Sequence, residues 1–310
     1  MLSLADVRYT ATTAAVAAAL GLLPACGGDA GTGADAELPP PAFTEQAQAL
    51  GGAHVAGRDE ALLIAARGVM TPLHVSELAH MALVRAFAQR ALAHGSTPAA
   101  PPGNQAVLAP DTAPLGTGAV VESPVAIDLL AADNADGLML RGEAGFVRAL
   151  LRFDRNALGA SGQIDGAIVL EVSRTEPGAG TARRSQADAL SMTHGGRTVN
   201  WSYLDVMVDA QQLVQRLTVV SDIPVQRLGS VWLDVSSSAP ERPAAAAAGA
   251  PLAAGRYVAA GVIGFLNASL TLQVGDDGAW TIDVDNDKDG QTDFVVRASA
   301  EQARTLMLGL

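Results

Sequence analysis

From residue 162 onward the apolar side chains recur at every second position, in GQIDGAIVLEVSR (162 to 174), TVNWSYLDVMVD (198 to 209), QLVQRLTVVSD (212 to 222) and SVWLDV (230 to 235). A period of two puts successive side chains on opposite faces of an extended chain, so each segment reads as a half-buried β-strand. The residues between them are Gly, Asn, Asp and Ser, with few gaps of helix length. This favours antiparallel hairpins over strand-helix-strand units. No Gly-x-Gly-x-x-Gly or phosphate-loop sequence interrupts the pattern. It resumes in GRYVAAGVIGF, ASLTLQVG, AWTIDVD and TDFVVRA, with Asp276-Asp277-Gly278 as a hairpin turn. The expected body is antiparallel and β-rich, as a sandwich, an open barrel or a meander, without an internal repeat.

Upstream the period is closer to 3.6. Residues 43 to 70 and 74 to 94 read as helices, the second most clearly: Leu78, Met81, Val84, Ala88 and Leu92 recur at spacings of three and four, with Arg85 and Arg90 between them. Pro72 and Gly95 stand at its ends. The expectation is a short helical hairpin over 43–94, giving an α+β chain. A Pro-, Ala- and Gly-rich linker over 95–118 follows, because a structureless stretch of that length inside one compact domain is uncommon. One β region is then expected over 119–235, an Ala/Pro connector over 236–255, and a second β region over 256–310.

The chain has 310 residues and one cysteine, Cys26, so an internal disulfide is excluded. Residues 11 to 25, ATTAAVAAALGLLPA, form an uncharged apolar run that ends directly on this cysteine. As a helix the run would rise only about 22 Å, short of the ~30 Å hydrocarbon core, which fits a secretory signal better than a permanent span. Leu23-Pro24-Ala25-Cys26-Gly27 resembles the lipobox of bacterial lipoproteins. The resemblance implies cleavage of residues 1–25 and acylation of the Cys26 thiol. It implies export to the cell envelope with a membrane anchor, and Gly27 in place of a retention aspartate favours the outer membrane. Residues 26–42, rich in Gly, Asp, Ala and Pro, then read as a flexible tether. The formal net charge of −12, with Arg183-Arg184 as the one adjacent basic pair, argues against a nucleic-acid partner. A protein or envelope-polymer partner is expected instead.

The strongest chemical signal is DNDKDGQTDF, residues 285 to 294. Asp285, Asp287 and Asp289 alternate, Gly290 follows, and Asp293 stands at the ninth loop position. A hard cation of calcium size takes six to eight oxygens, and carboxylates at loop positions one, three and five converge when the chain turns. Gln291 would offer its backbone carbonyl, Asp293 a direct or water-mediated oxygen, and Asp283 an extra ligand. Residues 276 to 293 hold seven aspartates and one lysine, a local excess of six negative charges. Such crowding is unfavourable without a counterion. The segment resembles the calcium loops of EF-hands, dockerins and FG-GAP repeats. Its flanks are strand-like and its twelfth position is Val296, so the resemblance implies one weak calcium site of the strand-loop-strand kind.

Other candidates carry less. His74, Glu77 and His80 lie three apart on the second helix, but six residues turn the helix by about 120°, so the two imidazoles do not readily share an ion. They read as polar residues on the helix surface. His194 near Ser191 lacks a nucleophile elbow. Trp201, Tyr203, Trp232, Tyr257 and Trp280 all fall in strand patterns and read as core or cross-strand pairs rather than a binding platform. The function expected is that of a membrane-anchored structural or binding module, with a secreted hydrolase or a helical docking protein as alternatives.

Overall fold

The computed structural model describes residues 57–93, 105–109, 123–158, 162–194, 197–221, 231–238, 255–263, 266–287 and 289–306. Cys26, the stretches expected to be a leader (1–25) and a tether (26–42), and the start of the expected first helix (43–56) lie outside them. The chain is α+β, with an antiparallel β-rich body. Its first helical stretch comprises α1 (Arg58–Leu63), a π-helical segment (Ile64–Met70) and α2 (Thr71–Ala93). Strands β1 (Gln105–Leu108) and β2 (Val125–Asp133) follow, then a second π-helical turn (Gly137–Arg141). Next come β3 (Gly145–Leu158), β4 (Gly162–Arg174), β5 (Ala182–Ala187), β6 (Leu190–His194), β7 (Arg197–Val208), β8 (Val214–Ser221) and β9 (Val231–Ser238). The chain continues through β10 (Gly255–Ile263), β11 (Leu266–Val274), β12 (Trp280–Asp285), β13 (Phe294–Ala298) and helix α3 (Ala300–Leu306).

The sheet is a meander in which consecutive strands pair, except that β5 and β6 do not pair with each other. Strands β5 and β6 share one lane: β4 meets β6 along Gly162–Gly166 and β5 along Val169–Ser173. Strand β7 runs in unbroken register past both, with Leu190 opposite Trp201 and Ala187 opposite Leu204. Because β9 pairs with β10, the two β regions expected on either side of residues 236–255 form one sheet. Strand β1 falls inside the stretch expected to be a linker and pairs with β2.

Helix and sheet contacts fix how the sheet is bent. The helical stretch touches β1 at one margin, β4, β5, β7, β8 and β9 in the middle, and β12 and β13 at the other margin. One helix can meet both margins and the middle only if the sheet curls around it. Every residue from Ile64 to Ser76 is accordingly buried. The inward positions of the strands are apolar, as in Val147, Ala149 and Leu151 of β3, Ile168, Leu170 and Val172 of β4, and Ile282 and Val284 of β12. The outward positions hold ion pairs between neighbouring strands. Arg148 meets Glu171 at 3.2 Å, Arg152 meets Asp128, and Arg184 grips both oxygens of the buried Asp205 at 3.0 Å. No helix among the described residues is long and apolar enough to cross a membrane.

The break expected at Pro72 is absent. Thr71 has helical angles (φ −63°, ψ −44°), and the helix runs from Arg58 to Ala93 without a turn. A proline inside a helix removes one backbone donor and crowds the carbonyl of the preceding turn. Here the preceding turn is π-helical, so bonds run from residue i+5 to residue i. The Thr71 amide and the Thr71 hydroxyl (2.7 Å) both donate to the Ala66 carbonyl. In the same register the Arg67 carbonyl would accept from residue 72, which is proline and has no N–H. The indole Nε1 of Trp201, on β7, donates to that carbonyl instead, at 3.3 Å. Trp201 is 1% exposed, so the pair is closed to water. A side chain of the surrounding sheet thus supplies the hydrogen bond that the helix lacks.

Replacing Trp201 with Phe removes this buried hydrogen bond and is expected to cost ~1–3 kcal/mol in urea denaturation. In a Pro72→Ala background residue 72 regains its N–H, and the same replacement should cost on the order of 1 kcal/mol less. Additive losses across this double-mutant cycle would mean that Trp201 contributes only volume.

Candidate functional site

The aspartate loop joins β12 to β13 at the margin of the sheet. Along β12 the buried residues Trp280, Ile282 and Val284 alternate with Thr281, Asp283 and Asp285, which point outward. Strand pairing ends where Val284 faces Phe294, and the Asp293 amide closes the loop by donating to the Val284 carbonyl at 2.8 Å. Inside the loop the carboxylates accept from its own backbone. The Gly290 amide donates to Asp285 Oδ2 at 2.9 Å, the Asp289 amide to Asp287 Oδ1 at 3.2 Å, and the Gln291 amide to Asp289 Oδ1 at 2.7 Å. Gly290 has φ +87°, in the left-handed region where a side chain is strained, so the sharp turn depends on glycine.

The turn brings carboxylate oxygens of Asp285, Asp287 and Asp289 within 4.8 Å of one another, and this trio could hold a metal ion. The expected ligands do not all join it. Asp293 Oδ2 accepts from the Asn286 amide at 2.7 Å and so holds the loop shut. Asp283 shares the outward face of β12 but is paired in register with Thr271 and Val295, outside the trio. The side-chain amide of Gln291 donates to Asp289 Oδ2 at 3.2 Å, which orients that carboxylate. Three like charges so close repel one another, and the amide donors offset part of that repulsion. A hard divalent cation with oxygen preference would offset the rest.

The remaining candidates are placed differently from the sequence reading. His74 lies on α2 inside the curled sheet, only 4% exposed, while Glu77 and His80 on the same helix are half-buried. They do not gather as metal ligands among the described residues. Glu77 instead pairs with Arg183 Nη2 of β5 at 2.9 Å, and Ser76 shares a hydrogen bond of 2.8 Å with Ser185, two residues further along β5 on the same face. Trp201, Tyr203 and Trp280 are buried in the sheet, as expected for core aromatics. Ser191 lies on β6 opposite Asp165 and Asn200, while the side chains of His194, Trp232 and Tyr257 lie outside the described residues. Sequence reasoning missed the enclosure of α2, and the available signal was the single charge, Arg67, in ALLIAARGVMTPLHVS (61 to 76). A helix apolar on all sides is a buried helix.

Burial lowers the His74 pKa from 6.5 to about 4, against a smaller opposing pull from Glu77. Neither ring nitrogen has a hydrogen-bond partner among the described residues. Because the folded pKa is the lower one, the unfolded chain takes up this proton first, and stability falls as pH drops from about 6.5 to about 4. The full effect is on the order of 3 kcal/mol. His74→Leu is expected to lose less of its urea midpoint than the parent between pH 7 and pH 5, and equal losses would place the acid sensitivity elsewhere. No family model, no curated protein and no solved structure matches this chain.

Proposed function

We propose that this chain is an exported envelope protein, lipid-anchored through Cys26, whose curled β body serves as a structural or binding module with one weak calcium site. The observation that carries the calcium reading is the convergence of Asp285, Asp287 and Asp289 on one point of a loop whose own amides hold the carboxylates in place. Three carboxylates without a bidentate Glu form a site of low charge and few ligands. Its affinity is expected in the range of about 10⁻⁴ to 10⁻³ M typical of extracellular modules. Such a site suits a calcium-replete exterior and acts as a staple on the β12–β13 hairpin. At millimolar calcium it would add on the order of 1 kcal/mol to stability. The anchor reading rests on the lipobox-like segment at Cys26. A lipid tether would leave the charged outer face of the sheet free to meet a protein or an envelope polymer.

Calorimetric titration with calcium is expected to show saturable binding, a raised melting temperature, and loss of both in Asp285→Ala with Asp287→Ala. An absence of binding up to ~10 mM, well above the range of weak extracellular sites, would reduce the loop to an acidic turn. In a bacterial host Cys26→Ala is expected to move the protein from the membrane fraction to the soluble fraction. Unchanged fractionation would overturn the anchor.

A further inference from the structure

The curled sheet has two ends. The aspartate loop lies at the end where β12 finishes, and the opposite end is formed by the β2–β3, β4–β5 and β7–β8 connections. The inner face of that opposite end carries guanidinium groups. Arg183 of β5 faces Val172 of β4 in register, and Arg174 is two residues further along β4, on the same inward face as the buried Val172. Around them stand Glu77 and His80 of α2, Thr181 before β5, and Gln212 of the β7–β8 connection.

These groups are held by a built framework. Arg183 donates from Nη2 to Glu77 at 2.9 Å and from Nη1 to Gln212 Oε1 at 2.8 Å. Arg174 Nη2 donates to the Thr181 hydroxyl at 2.8 Å, and Gln212 Nε2 donates to the Thr181 carbonyl at 3.0 Å. Gln212 adopts φ +64°, a strained backbone for a residue with a side chain, and its carboxamide bridges β5 to the β4–β5 connection. Gly142, at φ +68°, packs against Arg174 so closely that a Cβ there would lie 2.6 Å from Nη1.

Unbonded polar atoms remain after these bonds are made. The donors Arg174 Nε and Arg183 Nε, and the ring nitrogen His80 Nδ1, are buried without a hydrogen-bond partner among the described residues, and the Arg183 side chain is only 5% exposed. His80 lies within electrostatic reach of Arg174, Arg183 and Glu77, so the four groups occupy one neighbourhood. Buried N–H groups of charged side chains are normally bonded, and unbonded ones mark a place for an acceptor. Glu77 pairs with Arg183, while Glu176 and Asp209 stand on the neighbouring β4–β5 and β7–β8 connections, so the two guanidinium groups sit among carboxylates in a chain whose formal net charge is −12. Glu77 is 30% exposed, which gives the cluster a route to solvent.

We propose that Arg174 and Arg183, with His80 at their side, bind a small oxyanion at this end of the curled sheet. A guanidinium presents parallel N–H groups matched to the oxygens of a carboxylate or a phosphate. Glu77 and Gln212 position Arg183 and leave its Nε for the ligand. The proposal is independent of the aspartate loop, which lies at the other end.

The test uses the full chain in calcium-free buffer at constant ionic strength, with chloride replaced in turn by inorganic phosphate and by acetate. Phosphate or acetate is expected to raise the melting temperature saturably, with heat of binding in calorimetry. Arg174→Gln, at a half-exposed position, is expected to fold and to lose the response at least tenfold, while Asp285→Ala with Asp287→Ala keeps it. Phosphate active alone would assign a phosphoryl ligand, and both anions active would assign a carboxylate-tolerant site. No saturable response in the parent protein, or an undiminished one in Arg174→Gln, would overturn the proposal.

Discussion

Everything in this fold depends on passing a proline-containing helix through the middle of a curled sheet, where water cannot repair a missing hydrogen bond. The Arg67 carbonyl is the point of greatest exposure to that constraint. The π register takes the Thr71 amide away to Ala66, Pro72 offers no amide, and the indole of Trp201 fills the gap. An unsatisfied carbonyl at this depth would cost ~1–3 kcal/mol, a sizeable part of the net stability of a typical domain. Helix and sheet are thus tied by hydrogen bonding as well as by apolar packing. The tie sets the position of β7, on which β5, β6 and β8 are aligned.

The other polar contacts between helix and sheet lie along the same side. Ser76 with Ser185 and Glu77 with Arg183 fall about two to three turns beyond Arg67, at the far half of β5. Apolar packing is tolerant of small rotations about the helix axis, since one Ala or Leu replaces another with modest loss. Hydrogen bonds are not so tolerant, because a rotation of one residue would bury Glu77 and Arg183 apart from each other. Separating such a pair is strongly destabilising even where forming it is nearly neutral. Together with Trp201 these contacts fix both the height and the rotation of α2, which the hydrophobic effect alone would leave loosely specified.

Much of the β body was legible in the sequence, because alternation along β4 and β12 survives in the burial of Ile164, Ile168, Ile282 and Val284, whereas β8 is buried on both faces from Leu217 to Ser221. The meander followed from short connections rich in turn residues. The helical hairpin was misread for a physical reason. Proline is a reliable stop signal when its neighbours face solvent, and here the donor that rescues it lies 134 residues away in sequence. Strand β1 was hidden by its Pro- and Ala-rich surroundings, since four residues are too few to show a period. For the candidate site the motif's spacing anticipated that the carboxylates of Asp285, Asp287 and Asp289 would gather. It could not tell that Asp293 would turn to the Asn286 amide, because that choice depends on where the hairpin closes.

The placement of the aspartate loop limits what an ion there could do. Strand β13 pairs on one side, with β12, and is followed directly by α3, so the hairpin is the margin of the sheet. Margins are where a sheet opens first, having half the ladder hydrogen bonds of an interior strand. Repulsion among three carboxylates pushes the two strands apart at the loop, and a bound cation reverses that force at the same spot. Its influence would therefore reach β13, α3 and the α1 residues that pack on β12 and β13, and fade toward β4 and β5. The guanidinium cluster sits on interior lanes at the opposite end of the strands and is backed by the helix. Because the two groups belong to different ends and different lanes of the sheet, ion binding at the margin and polar contacts in the interior are separate devices in one sheet.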